Sequence, residues 1–157
     1  MCSFKNIFSL RKVNKNDEVL LFNWASDPDV RKWSFNKKSI TLDVHKGWFK
    51  QKLNDENTLM WVFEIENIPA GMVRLEKEDN DFFLNYLIAP ESRGRGLASK
   101  MLNMAMIELN NYWKNIKVFA YTLPDNIASI KSLENADFSL KNSSAKKNCY
   151  IFNKEEI

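Results

Sequence analysis

Apolar positions recur along this chain with two periods, one near two residues and one near three and a half. Residues 4–13 alternate loosely and predict a first strand. Asn16 is suited to cap a helix, and after it Val19, Leu20, Phe22 and Trp24 recur at helical spacing. Ala25-Ser26-Asp27-Pro28-Asp29-Val30-Arg31 predicts a turn at its proline. Thr41 can cap a second helix, on which His45, Trp48, Phe49 and Leu53 share a face, and Asn54-Asp55-Glu56-Asn57 ends it. Strand-like runs follow at 59–66, 70–76 and 82–89, separated by Asn67-Ile68-Pro69 and Lys77-Glu78-Asp79-Asn80-Asp81 as hairpin turns. Residues 96–111 form an amphipathic helix with Leu97, Met101, Leu102, Met104, Ala105 and Leu109 in its apolar set. A strand at 116–122, a helix at 125–135 and closing strands at 138–141 and 148–153 complete the order.

That order, β-α-α-β-β-β-α-β-α-β-β, has no internal repeat and no linker long enough to divide it. It predicts one α/β domain over residues 1–157, with four helices around a mixed, mostly antiparallel sheet. A chain of 157 residues with 45% hydrophobic and 13% aromatic content has ample material for one packed core.

Charge and cysteine usage narrow the function classes. The net charge is +3 with acids and bases interspersed, short of the clustered basic footprint of a nucleic-acid binder. Lys37-Lys38 and Lys146-Lys147 read as solvated surface. Cys2 and Cys149 lie far apart, no CxxC is present and there is one histidine, so neither a zinc site nor a disulfide framework is expected, and no metal. No segment resembles a signal peptide or approaches the roughly 20 apolar residues of a membrane span, which leads to the expectation of a soluble cytoplasmic protein.

The most informative stretch runs from Asn85 to Ser99, where an apolar strand passes through a short Pro-bearing loop into a Gly-rich helix start. Arg93-Gly94-Arg95-Gly96-Leu97-Ala98 allows a backbone to approach an anion closely, and the helix that follows begins with unpaired N–H groups. A Rossmann fingerprint would need a third glycine and a parallel βαβ frame, and a P-loop would need Gly-Lys-Ser/Thr; neither is present. Arg-x-x-Gly-x-Ala, as Arg93, Gly96 and Ala98, after a strand ending Leu87-Ile88-Ala89-Pro90, resembles the acyl-CoA pyrophosphate loop of the GNAT superfamily of N-acetyltransferases. The element order also matches that fold, so the resemblance covers nearly the whole chain.

The resemblance implies that the strands at 82–89 and 116–122 splay and admit the acyl-pantetheine arm of acetyl-CoA. Leu87 and Ile88 would hydrogen-bond it through their backbones and stabilise the thioester oxyanion. The pyrophosphate would sit on N–H groups across Arg93, Gly94, Arg95, Gly96, Leu97, Ala98 and Ser99. Asp125-Asn126-Ile127-Ala128-Ser129 resembles the family's Asn-x-x-Ala/Ser, which assigns Asn126 and Ser129 to the cofactor; Asn126 is equally a helix cap. The family's usual Tyr and Gly are replaced by Leu133 and Asp137, so the common general acid is missing. A CoA thiol near the 8.5 of a cysteine is a tolerable leaving group that water can protonate.

The acceptor region, Trp24 to Arg31 with Ile40-Thr41 and His45-x-x-Trp48-Phe49-x-x-Lys52-Leu53, resembles bacterial N-acetyltransferases of nucleotide-linked amino sugars in pseudaminic and related nonulosonic acid pathways. This implies acceptor contacts at Arg31, His45 and Tyr86, with Tyr86 and His45 also handling protons. Arg31 would meet a diphosphate and Trp24 or Trp48 a flat base. Each residue has a structural alternative: His45, Trp24, Trp48 and Tyr86 as packing, Arg31 as a surface partner of Asp27 or Asp29. The expectation is direct acetyl transfer to the amine of a small-molecule acceptor, a UDP-4-amino sugar or similar nucleotide sugar, with room for a homodimer. The rivals are acetylation of protein N-termini and a non-catalytic acyl-CoA-binding module.

Overall fold

A computed structural model of the chain describes residues 7–154. The start of the expected first strand, residues 4–6, and Cys2 lie outside the described residues. Seven strands, β1 (Phe8–Lys12), β2 (Thr58–Ile65), β3 (Ile68–Glu78), β4 (Asp81–Ile88), β5 (Ile116–Thr122), β6 (Ser139–Ser143) and β7 (Asn148–Lys154), form one sheet in the order β1-β2-β3-β4-β5-β7-β6. Every neighbouring pair is antiparallel except β4 and β5. That parallel pair keeps register only at Phe82↔Val118, Phe83↔Phe119 and Leu84↔Ala120. Past Leu84, β4 is laddered on its β3 side alone, and the expected splay is present.

The period-two alternation of β2 and β3 places a core on each face of the sheet. Trp61, Phe63, Val73 and Leu75 pack with Met101, Leu102, Ala105 and Leu109 of α4 (Leu97–Tyr112) and Leu133 of α5 (Ile127–Asn135). Met60, Val62 and Met72 pack on the other face with Leu21 and Trp24 of α1 (Glu18–Ala25) and Phe49 of α3 (Leu42–Leu53). Thr41 caps α3 by accepting from the Val44 N–H, as expected.

Two local readings are corrected. The stretch expected to turn at Pro28 contains α2 (Pro28–Trp33), which makes five α-helices among the described residues rather than four. Asp27 caps it by accepting from the Val30 N–H at 3.4 Å, and Pro28 occupies the first helical position, where its fixed φ fits and its missing N–H costs nothing. The residue that organises the entry to α1 is Asn14, not Asn16: its side chain accepts from Asn16 N–H at 2.9 Å while its own N–H donates to Asp17 at 2.8 Å. Arg11 grips the Asp17 carboxylate with two 2.8 Å hydrogen bonds and so ties β1 to the start of α1.

Gly71 sets how closely β3 can approach the functional end of β4. A Cβ there would lie 2.8 Å from the Leu87 carbonyl oxygen and 2.9 Å from Met101 Sδ. Gly71→Ala must displace backbone as well as a side chain, so it is expected to destabilise the fold by about 1–3 kcal/mol, measured by equilibrium urea unfolding.

Candidate active site

A cavity of about 980 Å³ opens where β4 and β5 diverge. One half is bounded by α4's N-terminal loop and the start of α5, and the other by α2, α3 and the connection between them. The floor is the end of β4, Leu84 to Ile88, together with Met72 and Arg74 of β3.

The loop half is built on two glycines and a helix start. Gly94 and Gly96 sit at φ +78° and +67°, a left-handed conformation that suits glycine, and Gly96 is the N-cap of α4. The N–H groups opening this 16-residue helix have no preceding turn to bond. Gly94, Gly96, Leu97 and Ala98 line the cavity; Arg95 is exposed and, like Ser99, stands outside its wall. The Arg93 side chain turns away from these donors. Its Nε donates to the Ile88 carbonyl at 3.2 Å, and its Nη2 and Nη1 meet Asp27 at 2.9 Å and Asp29 at 3.3 Å.

Across the splay, Asn126 caps α5 by accepting from the Ser129 N–H at 3.2 Å while also lining the cavity. Tyr86 reaches from β4 to hydrogen-bond the Ser129 hydroxyl. Burial pushes the Tyr86 phenol up to about 12, so it stays protonated at neutral pH. Leu133, in the position of the family's usual tyrosine, is fully buried in the core below. Asp137 has φ +67° and closes α5: its N–H donates to the Glu134 carbonyl at 3.1 Å, and that of Phe138 to the Leu133 carbonyl at 3.0 Å. This is a Schellman cap in which an aspartate, tolerant of the left-handed region, takes the glycine position.

The other half departs further from expectation. Trp24 is 5% exposed, packed in the core under α1 and off the cavity wall, so it offers no platform for a base. Arg31 lines the cavity, but it pairs with neither Asp27 nor Asp29. Its Nε donates to the Ala25 carbonyl at 2.8 Å, Nη1 to the carbonyls of Asn36 at 3.1 Å and Lys38 at 3.4 Å, and Nη2 to Ser34 Oγ at 3.2 Å. With these donors engaged, Arg31 organises the α2–α3 connection rather than presenting a fork to a diphosphate.

His45 stands on the wall, 3% exposed, with Nε2 donating to the Glu18 carbonyl at 3.1 Å and ring contacts to Phe22, Trp48 and Phe49. It joins α3 to α1, and burial holds its pKa below the ordinary 6.5.

The residue that sequence reasoning missed is Arg74. It projects from β3 onto the cavity side, its guanidinium carbon 4.9 Å from the Trp48 ring centroid. Its nearest carboxylate is Glu76, at 3.4 Å from Nε, and Glu76 is held closer by Lys52 at 2.6 Å. Among the described residues, the buried side-chain polar atoms without a hydrogen-bond partner are Arg74 Nε and Thr122 Oγ1, and both residues line this cavity. Buried polar groups are nearly always paired, so Thr122 Oγ1 and Arg74 Nε, which has the 3.4 Å ion pair to Glu76 and no hydrogen bond, stand out in this cleft. The signal in the sequence was a lone arginine between Val73 and Leu75, inside the apolar stretch of β3 that precedes Glu76. No group of three or more His, Cys, Asp or Glu side chains able to hold a metal occurs among the described residues, and Cys149 is a buried free thiol. None of their helices is long and apolar enough to cross a membrane.

A splayed parallel strand pair and a glycine-bearing loop at a helix N-terminus meet around one cleft. The acetyltransferase (GNAT) domain profile matches residues 8–139, and the chain belongs to that family. It is therefore an N-acetyltransferase with acetyl-CoA as donor. Its fold is similar to that of spermidine N-acetyltransferase from Vibrio cholerae, in complex with CoA and spermine, at TM-score 0.81 and 15% identity over 95% of this chain and 96% of that one. It is also similar to RimL, the ribosomal L7/L12 alpha-N-protein acetyltransferase in complex with CoA, at TM-score 0.80 and 12% identity over 96% of both chains. Aminoglycoside acetyltransferase AAC(6')-Ib in complex with CoA and kanamycin superposes at TM-score 0.76 and 17% identity, covering 94% and 95%. No curated protein matches the sequence.

Because His45 is the chain's single histidine, its titration dominates the neutral range. A buried neutral imidazole contributes stability that is fully present above the unfolded value of 6.5 and is lost as pH falls through the lower folded value. The melting temperature is expected to drop as pH falls below 6.5 in the wild type and to stay flatter in His45→Gln, followed by thermal unfolding in matched buffers.

Proposed function

We propose that the acceptor is a nucleotide-linked amino sugar, of the UDP-4-amino class used in pseudaminic and related nonulosonic acid synthesis. The observation that carries this reading is Arg74, a guanidinium without a hydrogen bond, stacked on Trp48 in the acceptor half of the cleft. It supplies what Arg31 cannot: an open fork for a diphosphate, beside an indole on which a base can lie. The one acidic residue on the wall, Asp29, is already paired with Arg93. A spermine-like or aminoglycoside-like polycation would meet Arg74 with no unpaired carboxylate to receive it.

The amine lone pair attacks the thioester carbonyl carbon; a C–N bond forms, the C–S bond breaks, the nitrogen loses a proton and the sulfur leaves as thiolate. The N–H groups of Gly94 to Ser99 hold the pyrophosphate. The backbone of Leu87 and Ile88, unladdered toward β5, holds the pantetheine arm and the carbonyl oxygen. Asn126 and Ser129 flank the arm from α5. Tyr86 stands where Leu133 cannot act: its phenol, at about 12, lies well above a thiol near 8.5, so it steadies the thiolate by hydrogen bonding and water delivers the proton. His45 orients the acceptor wall as a neutral ring, and no strong base is needed for a sugar amine less basic than lysine.

Acceptors are tested by thiol release from acetyl-CoA with a UDP-linked 4-amino sugar, the free amino sugar, spermidine and a peptide with an acidic N-terminus. Turnover is expected with the nucleotide-linked sugar; turnover restricted to spermidine or to the peptide overturns the reading. Arg74→Gln is expected to raise the acceptor KM about 10- to 100-fold while leaving the acetyl-CoA KM unchanged. Tyr86→Phe is expected to lower kcat about 10- to 100-fold with both KM values near those of the wild type, read from initial rates.

A further inference from the structure

Where the β4–β5 ladder ends, the cavity passes from one face of the sheet to the other. Alternation sends Leu84, Tyr86 and Ile88 toward the core under α4 and α5, and Leu87 toward the core under α1 and α3. Asn85 shares the face of Leu87. Leu84↔Ala120 is the last laddered pair, so the next residues outward, Asn85 and Tyr121, flank the opening on the α3 side, and both line the cavity. The glycine loop lies on the α4 side, so an acceptor amine coming from the α3 side passes between these two residues to reach the thioester. Tyr121 is held in place, its ring parallel to Phe83 with centroids 6.5 Å apart and Lys147 Nζ 4.5 Å from its centroid. Asn85 is exposed, and its amide makes no hydrogen bond with the described residues. In register it stands opposite Arg74 of β3, on the same face. Side chains so placed have Cβ atoms about 4.5–5.5 Å apart.

We infer that Asn85 is a specificity-determining residue for the acceptor, holding the ring that bears the amine over the end of the ladder while leaving Arg74 open to the diphosphate. The inference rests on the reading of the acceptor as a nucleotide-linked amino sugar. The order of groups across the sheet gives the geometry. Arg74 stands on β3, Asn85 on β4 and the opening just beyond β4, with neighbouring strands about 4.8 Å apart. A diphosphate on Arg74 puts the sugar ring attached to it over Asn85, and an amine across that ring from the diphosphate reaches the opening. The Asn85 carboxamide offers an acceptor oxygen and two donor hydrogens to the ring hydroxyls. Its neutrality matters as much as its hydrogen bonds. A carboxylate in its place would face Arg74 and pair with it, and would draw ammonium groups to the opening. Glu76 is held by Lys52 and Asp29 by Arg93, so a neutral residue at position 85 keeps unpaired negative charge away from Arg74.

Initial rates with a UDP-linked 4-amino sugar, a UDP-linked 2-amino sugar and spermidine test it in the wild type, Asn85→Ala and Asn85→Asp. The wild type is expected to prefer the 4-amino sugar. Asn85→Ala should lower kcat for that sugar about 10-fold and narrow its preference over the 2-amino sugar, with the acetyl-CoA KM unchanged. Asn85→Asp should raise the KM for the 4-amino sugar about 10- to 100-fold and bring measurable turnover of spermidine. Adding Arg74→Gln to Asn85→Asp should change that KM by less than about 3-fold, because the new carboxylate has already taken the guanidinium. A role confined to folding would lower the melting temperature and leave both the acceptor preference and this non-additivity unmoved. Turnover of the 4-amino sugar with kcat, KM and preference unchanged in both Asn85 variants overturns the inference and leaves the acceptor reading standing. Wild-type turnover restricted to spermidine overturns the acceptor reading and the inference with it.

Discussion

Parallel strands β4 and β5 share a ladder from Phe82 to Leu84 and then part, leaving the last residues of β4 bonded on one side only. An open strand edge inside a folded domain is normally a liability, because each unpaired N–H and C=O must find another partner. Here the edge faces a cavity, and the chain on either side of it is shaped to receive a ligand that completes the sheet. The end of β4 leads directly into the glycine loop and the N-terminus of α4, and β5 leads into the capped start of α5. Both helix starts therefore sit at the mouth of the splay, where their N–H groups face the same space. Tyr86 spans that gap to Ser129, and Gly71 lets β3 lie close enough behind Leu87 to hold β4 in place.

Charge in the cleft is distributed by pairing. Arg31 is absorbed by backbone carbonyls, and Arg93 and Asp29 are absorbed by each other, so charged residues that line the cavity are largely spent on structure. Arg74 is the least committed, with an ion pair to Glu76 at 3.4 Å and no hydrogen bond. It shares a face of β3 with the buried Met72, and α3 brings Trp48 over the guanidinium. A cation with unmet donors costs stability in the absence of a ligand, and such costs are concentrated where binding repays them. The solved structures of similar fold include a spermidine N-acetyltransferase and a ribosomal-protein acetyltransferase, so the shared fold does not by itself name an acceptor.

Much of this was legible in the chain. The Asn85–Ser99 stretch announced its loop because glycine spacing and a helix start are local properties. Thr41 and Asn126 were recognisable as caps for the same reason. The helix at 28–33 was missed because a proline was weighed as a breaker, although Asp-Pro is also a good helix start. Arg31 was weighed as the partner of Asp27 and Asp29 because it lies near them in sequence, whereas Arg93, near them only in space, takes that place. Trp24 and Trp48 could not be separated by helical periodicity, since both occupy apolar faces; only the packing of α1 against the sheet puts Trp24 inside the core and leaves Trp48 on the wall.

The sequence by itself determined the order of elements apart from α2, the two-faced alternation that builds a core on each side of the sheet, and the glycine loop that opens α4. These follow from period, capping and glycine placement within a few residues. Tertiary structure alone decided which charges remain open to a ligand. That depends on distances between β3 and α3, between the loop after β4 and α2, and between β4 and α5, pairs brought together by folding. A hydrogen bond or ion pair made across such a gap leaves no periodic trace in the chain. For that reason Arg74, marked in the sequence only by its apolar neighbours, became the principal candidate for reading the acceptor, and Arg93, prominent in the sequence, became a strut between the loop after β4 and α2.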